Sequence, residues 1–286
     1  MSHDSNSLEI ERFQWVGKKV GFYGSIFIIA LVSVFPILWM FITSLKQPGN
    51  IVTFPVEYIP RDPTLANYRA AFEGAPFFRY MLNSAIVATG TAILSVFLGA
   101  MAGYALSRLR FRFKLPVLLL ILGTAMLPFI ARLIPLFSLA RSWGLLNNYL
   151  GLIIPYTAFQ LPFAVWIFQA YFKELPDSLE EAGLMDGLSR IGVLFRIILP
   201  VSAPAMATAA IIVFIYAWNE FLFALTFMTE DSMRTITVGI ALYQGEYTYP
   251  WATISAAVFM SIVPLLLLML VFQRKIVEGL TSVGKA

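Results

Sequence analysis

Six apolar runs dominate the chain: Val20 to Leu45, Met81 to Leu106, Leu115 to Ser138, Leu150 to Phe172, Val201 to Met228 and Trp251 to Phe272. Each reaches the roughly 20 residues that a helix needs to cross a bilayer. The chain is therefore predicted to be all-α, a polytopic membrane protein with six transmembrane helices. Composition agrees, because only 13% of residues are charged and mean hydropathy is +0.79, whereas a soluble domain carries about 25% charged residues. An even number of spans puts both termini on one side.

Charge decides which side, since cytoplasmic segments hold the excess of Lys and Arg. Thirteen basic residues fall in the two termini, the second loop and the fourth loop, with Arg108, Arg110, Arg112 and Lys114 clustered; seven fall in the other segments. Both termini are thus predicted to be cytoplasmic. The first span is expected to stay as an anchor, because Glu9 and Glu11 precede a long apolar run and Thr43-Ser44-Leu45-Lys46 offers no small-x-small cleavage site. Cysteine is absent, so no disulfide framework is available. The predicted organisation is a cytoplasmic tail over 1–19, a membrane domain over 20–272 and a cytoplasmic tail over 273–286. Loops 46–80 and 229–250 are expected outside, and 173–200 inside. Within the first outer loop, Asp62-Pro63-Thr64 is a helix-start signal and predicts a short helix from Leu65 to Phe72.

The inner loop 173–200 carries the most specific pattern. Ser178 and Glu181 have capping-box spacing, in which hydroxyl and carboxylate each satisfy a free N–H at a helix start. That helix is expected to stop near Asp186-Gly187, where glycine adopts the left-handed conformation at little cost. A second helix, Ser189 to Leu199, is expected to end before Pro200. Two short helices at a glycine elbow, with small Ala182 and Gly183 side by side, form a compact knob suited to close approach by a partner. A solvated hairpin between spans is the alternative.

The whole spacing of Glu181-Ala182-Gly183, Asp186-Gly187 and Ile197-Ile198-Leu199-Pro200 resembles the EAA loop of bacterial ABC importer permeases. Gly183 departs from that pattern, standing where the family usually has a second Ala. The resemblance implies the type I importer permease fold and a coupling role for Glu181, Ala182, Gly183, Asp186, Gly187, Ile197, Leu199 and Pro200. It also implies the partners: two copies of an ATP-binding subunit, a second permease subunit and an extracytoplasmic sugar-binding protein. ATP and Mg are then held by the ATPase subunits, and this chain holds no cofactor. Asn67-Tyr68, Trp218-Asn219-Glu220-Phe221 and the segment from Gln273 to Ser282 are similar to the sugar-importing, maltose-type branch. In that branch the tail reaches the ATPase dimer, which implies contacts from Gly279, Leu280, Thr281 and Ser282.

Prolines at 128, 135, 155, 162 and 264 each remove a backbone hydrogen bond within a span and favour kinks. They fit either bent helices lining a gated cavity or ordinary membrane-helix proline. Ala88, Ala92, Ser95, Gly99, Ala102 and Gly103 form a stripe of small residues that permits close helix packing. Arg132 and Glu220 are ionisable groups in or at the edge of apolar runs, expensive enough to suggest a function. Glu220 is expected inside the fifth span, either snorkelling, paired with Arg132 or facing substrate. Tyr216, Trp218, Asn219, Gln160 and Thr157 are further candidates for a translocation path. Tyr243, Gln244 and Gly245 sit in a loop suited to contact with a binding protein.

No G-x-x-x-x-G-K-[ST], G-x-G-x-x-G or H-E-x-x-H pattern occurs, and His3 is the sole histidine. An enzyme is not indicated, nor a metal site, and the basic balance follows from topology, not nucleic acid. Lipid is the surrounding medium. Within the resembling family the expected substrate is an oligosaccharide or a glucoside such as maltose or trehalose, with glycerol phosphate esters and sugar alcohols as alternatives. An ion-coupled carrier is a more distant alternative, for which several intramembrane carboxylates or histidines would be expected.

Overall fold

A computed structural model describes residues 3–47, 51, 54–243 and 250–283, with side chains of 1–18, 20 and 274–286 outside the description. Its main elements are α1 (His3–Ser44), α2 (Ala66–Glu73), α3 (Phe77–Arg108), α4 (Lys114–Ala125), α5 (Leu133–Ser142), α6 (Tyr149–Glu174) and α7 (Asp177–Met185). They continue with α8 (Arg190–Val201), α9 (Ala203–Asn219), α10 (Leu222–Phe227), α11 (Ile236–Ala241) and α12 (Trp251–Val283). The described residues contain no strand. Among the described residues, four unbroken helices carry candidate spans, Gly21–Ser44, Phe77–Arg108, Tyr149–Glu174 and Trp251–Gln273. Two bent pairs complete six if each pair is one span: Lys114–Ala125 with Ile130–Ser142, bent by 93°, and Arg190–Val201 with Ala203–Asn219, bent by 81°.

The bends correct two of the predicted spans. The third run is not one helix from Leu115 to Ser138, because the chain breaks between Ala125 and Ile130, around Pro128. Arg132 donates to the carbonyls of Ala125 and Leu127 there, so its guanidinium occupies acceptors that the broken helix leaves free. The fifth run does not extend from Val201 to Met228. Helix α8 passes through Pro200, where a π-helical turn over Leu194–Ile198 precedes it, and the chain turns at Ser202. Ser202 Oγ donates to the Ile198 carbonyl at 2.7 Å. Helix α9 then ends at Asn219, and Glu220 is extended. Proline alone did not decide the kinks: α6 runs through Pro155 and Pro162, and α12 through Pro264.

The chain divides into two units, residues 1–71 with 244–259 and residues 72–243 with 260–286. In the first, Asn67 Nδ2 donates to the carbonyls of Ser44 and Lys46 at 2.8 and 2.7 Å. Ser44 Oγ meets the Tyr68 hydroxyl at 2.7 Å. The Asn67-Tyr68 pair thus closes the end of α1, and the short helix predicted over 65–72 is α2.

In the second unit α3 and α6 form the central pair, and the small stripe explains their closeness. A Cβ on Gly99 would lie 2.6 Å from Ala164 Cβ, and one on Gly103 2.6 Å from Phe168 Cβ. Removing side-chain bulk from α3 lets the buried Phe168 and Phe172 of α6 pack onto its backbone. Gly103→Leu is therefore predicted to lower the melting temperature of the purified protein, by an overpacking cost of about 1–3 kcal/mol. Gly123→Ala, where a Cβ meets nothing within 4 Å, should not.

Candidate functional site: the anchored 177–201 hairpin

The first helix of the hairpin starts two residues earlier than the sequence suggested. Pro176 is the cap residue of α7, with no side-chain capping bond, so the proposed Ser178–Glu181 capping box is not formed. Proline supplies the extended backbone entering the helix, and Asp177 and Glu180 place negative charge in the first turn. The helix end is as expected. Gly187 has φ +82°, Gly187 N–H donates to Leu184 and Leu188 N–H to Gly183, the paired bonds of a Schellman closure. Ser189 then caps α8, its Oγ accepting from Gly192 N–H at 3.1 Å.

Gly183 lies on the inner face of α7. A Cβ there would stand 2.5 Å from Ile197 Cδ1 and 2.9 Å from Val193 Cγ2. The methyls of α8 fill the space that an alanine would take, which accounts for the departure at this position. Glycine inside a helix costs about 1 kcal/mol relative to alanine, and here the packing from Ile197 and Val193 offsets it. Ile198 is buried and Leu199 half-buried, whereas Pro200, Glu181, Ala182, Asp186 and Gly187 are exposed. The outer surface is apolar at its tip: Met185 is 88% exposed and Ile191 67%.

What holds this knob was not singled out from the sequence. Arg108, at the end of α3, has a side chain only 6% exposed. Its guanidinium donates to the carbonyls of Phe172, at 2.6 Å, and Leu175, and to Asp177. The carbonyls left free at the end of α6 thereby gain a charged donor. Glu180, buried under α7, accepts from the Tyr104 hydroxyl at 3.0 Å and from Arg190 at 3.2 Å. One turn of α3, Tyr104 and Arg108, thus fixes the end of α6, the start of α7 and the start of α8. The available signal was an arginine four residues after a tyrosine where an apolar run ends.

Glu220 is not paired with Arg132. Its carboxylate accepts from Phe223 N–H at 3.0 Å, Ala224 N–H at 3.1 Å and the Tyr156 hydroxyl. It caps the start of α10, where free N–H groups favour an anion. Thr237 Oγ1 donates to its carbonyl at 2.9 Å, and the residue is 8% exposed. Arg132 instead lies over the Phe159 ring, 4.9 Å from its centroid.

The other path candidates separate. Trp218 is buried and stacked on Phe214, and Thr157 is buried with no partner for Oγ1. Gln160 and Tyr216 are half-buried, and exposed Asn219 donates to the Ile215 carbonyl at 2.8 Å. A cavity of about 720 Å³ between the bent third span and α6 is lined by Arg132 and Phe159, not by Gln160 or Tyr216. Tyr243 is half-exposed just after α11, while Gln244 and Gly245 lie outside the described residues. Gly279, Leu280, Thr281 and Ser282 continue α12, with side chains outside the description.

Comparison with known proteins places this geometry. Residues 95–280 match the family model described as binding-protein-dependent transport system inner membrane component. The chain is 40% identical over 257 residues to the sulfoquinovosyl glycerol transport system permease protein SmoH of Agrobacterium fabrum, covering 90% of each chain. It is 40% identical over 259 residues to the trehalose/maltose transport system permease protein MalG of Thermococcus litoralis, covering 89% of this chain and 92% of that one. A solved bacterial ABC transporter involved in import of the acidic polysaccharide alginate shares the fold, with TM-score 0.75 at 23% identity over 96% of this chain and 98% of that chain. The family model and the relatives define the class, a transport-system permease and not an enzyme. The chain belongs to the binding-protein-dependent transport system inner membrane component family.

Glu220→Ala should leave two N–H groups and the Tyr156 hydroxyl unmet and destabilise the protein by about 1–3 kcal/mol. Glu220→Gln keeps a carboxamide oxygen and should lose much less. Equal falls in melting temperature for the two variants would contradict the capping role.

Proposed function

We propose that this chain is the permease subunit of a carbohydrate importer in a bacterial cytoplasmic membrane, coupling ATP hydrolysis by partner subunits to sugar movement. The observation that carries the reading is the 177–201 hairpin. Its inner face is anchored to α3 by Arg108 and Glu180, while Met185 and Ile191 expose apolar side chains at its tip. An exposed apolar tip on a fixed base is the shape of a docking element, since such surface is otherwise costly in water. The ATP-binding subunits, two copies holding ATP and Mg, take this tip. Residues 279–282 reach the same subunits, both termini are cytoplasmic, and a second permease completes the pair. Loops 46–80 and 229–250 face the sugar-binding protein, with Tyr243, Gln244 and Gly245 in contact. Gln160, Tyr216 and Asn219 offer polar groups to a sugar passing between the two permeases.

Trehalose or maltose is the first substrate reading, supported by the name of the Thermococcus relative. A glyceryl glycoside is the second, supported by the name of the Agrobacterium relative. Thermal-shift screening of the cognate binding protein distinguishes them: stabilisation by disaccharides supports the first, and stabilisation only by non-carbohydrates contradicts both.

Coupling is tested in the chain itself. Gly187→Leu forces a branched side chain into the left-handed region, at about 1–2 kcal/mol, and Glu181→Lys reverses charge on the docking face. Both variants should reach the membrane in normal amount, yet lose uptake and co-purifying ATPase. Normal uptake with ATPase retained by both would overturn the coupling role.

A further inference from the structure

Beside the hairpin lies a polar cavity of about 880 Å³, walled by the end of α3, the link over 109–113, Lys114 of α4, Lys173 of α6 and the start of the hairpin. Five cations line it, Arg108, Arg110, Lys114, Lys173 and Arg190, against the carboxylates of Asp177, Glu180 and Glu181. Arg108 is matched by Asp177 and Arg190 by Glu180. Among the described residues, Arg110, Lys114 and Lys173 have no carboxylate within ion-pair distance, and Lys114 Nζ donates to the Ser107 carbonyl at 3.0 Å. Glu181 also lines the cavity without a cation, so the net excess is positive. The wall contains an unmet donor as well. Arg108 Nε is buried without a hydrogen bond, 4.0 Å from the nearest Glu180 oxygen. It stands within ion-pair distance of Glu180 and adds positive charge to the wall.

The surroundings select the kind of anion. Along the link and the start of α4, Arg110, Arg112 and Lys114 alternate with Phe111, Phe113 and Leu115. Phe113 and Leu115 are 65% and 63% exposed, and α4 buries none of its residues. Exposed aromatic and apolar side chains next to cations, where two membrane helices end, match the headgroup level of a bilayer. Basic pockets between helix ends bind anionic headgroups there.

We propose that this cavity binds the phosphate headgroup of an anionic phospholipid of the cytoplasmic leaflet, with the acyl chains along the exposed face of α4. The headgroup meets Arg110, Lys114 and Lys173 and shares its wall with Arg108 and Glu180, the residues that hold the hairpin. Lipid composition thereby bears on the hairpin's rigidity. The proposal rests on the cytoplasmic placement of the hairpin.

The test uses the full chain with its permease and ATPase partners in detergent, given equimolar phosphatidylglycerol and phosphatidylcholine, with bound lipid counted by native mass spectrometry. One phosphatidylglycerol per chain should be retained in preference. Arg110→Gln with Lys173→Gln should cut that preference by about fivefold per charge, while Arg141→Gln at a distant position leaves it unchanged. An unchanged preference in the double variant overturns the proposal. So does loss of ATPase subunits with lipid retained, which assigns the cavity to a protein partner. Displacement of the lipid by millimolar inorganic phosphate assigns it to a soluble anion and also overturns the lipid reading. Should the double variant not assemble, the unmutated complex serves, because its preference must fall as salt rises and a salt-independent preference contradicts the site. The chain has no cysteine, so Asp186→Cys gives one label site. Labelling of Asp186→Cys from the outer face refutes the placement of the hairpin, separately from the lipid count.

Discussion

One arginine joins the membrane helices to the hairpin that leaves them. Arg108 ends α3 inside a ring of acceptors, the carbonyls closing α6 and the carboxylate opening α7. A helix ending at a membrane surface leaves carbonyls unsatisfied, and a buried guanidinium with several donors satisfies them in fixed geometry. Tyr104, one turn earlier, holds Glu180 beneath α7. The hairpin is therefore held at its base while its tip stays exposed.

Helix α3 is itself closely held, because its contact with α6 has no slack. Gly99 and Gly103 bring the two backbones together, and any added side chain collides. At its other end α3 is tied by polar bonds: Asn83 Nδ2 donates to the carbonyls of Ser232 and Arg234 at 2.9 and 2.8 Å, and Ser84 Oγ accepts from Ile236 N–H at 2.8 Å. The segment before α11 is thus linked to the hairpin through a single helix. The bends follow the same rule of satisfying freed backbone groups, with Arg132 at the break after α4, Ser202 before α9 and Glu220 before α10.

Much of this was legible in the sequence. Apolar runs located the spans because hydropathy is a local property, and Gly187 announced its turn because few other residues tolerate that backbone. The small stripe of α3 announced close packing in the same way. The bends were hidden, since an apolar run reads the same whether straight or folded back on itself. Proline proved a poor guide, breaking one helix at Pro128 and leaving α6 unbroken through two prolines. Roles that depend on distant partners were also hidden. Glu220 and Arg132 looked like a pair because both are charges in apolar surroundings, yet each caps its own broken helix. Glu180 was overshadowed by its exposed neighbour Glu181, and only the arrival of Tyr104 from α3, far away in sequence, shows it to be the anchor.

The central claim is that Arg108 fixes the base of the hairpin, and hydrogen exchange in Arg108→Gln tests it most directly. Peptides covering 177–188 should lose protection in the variant, while those covering 96–104 in the α3–α6 contact keep theirs. Unchanged protection over 177–188 would contradict the account, as would equal loss in both regions, which would make Arg108 a general stabiliser of the bundle.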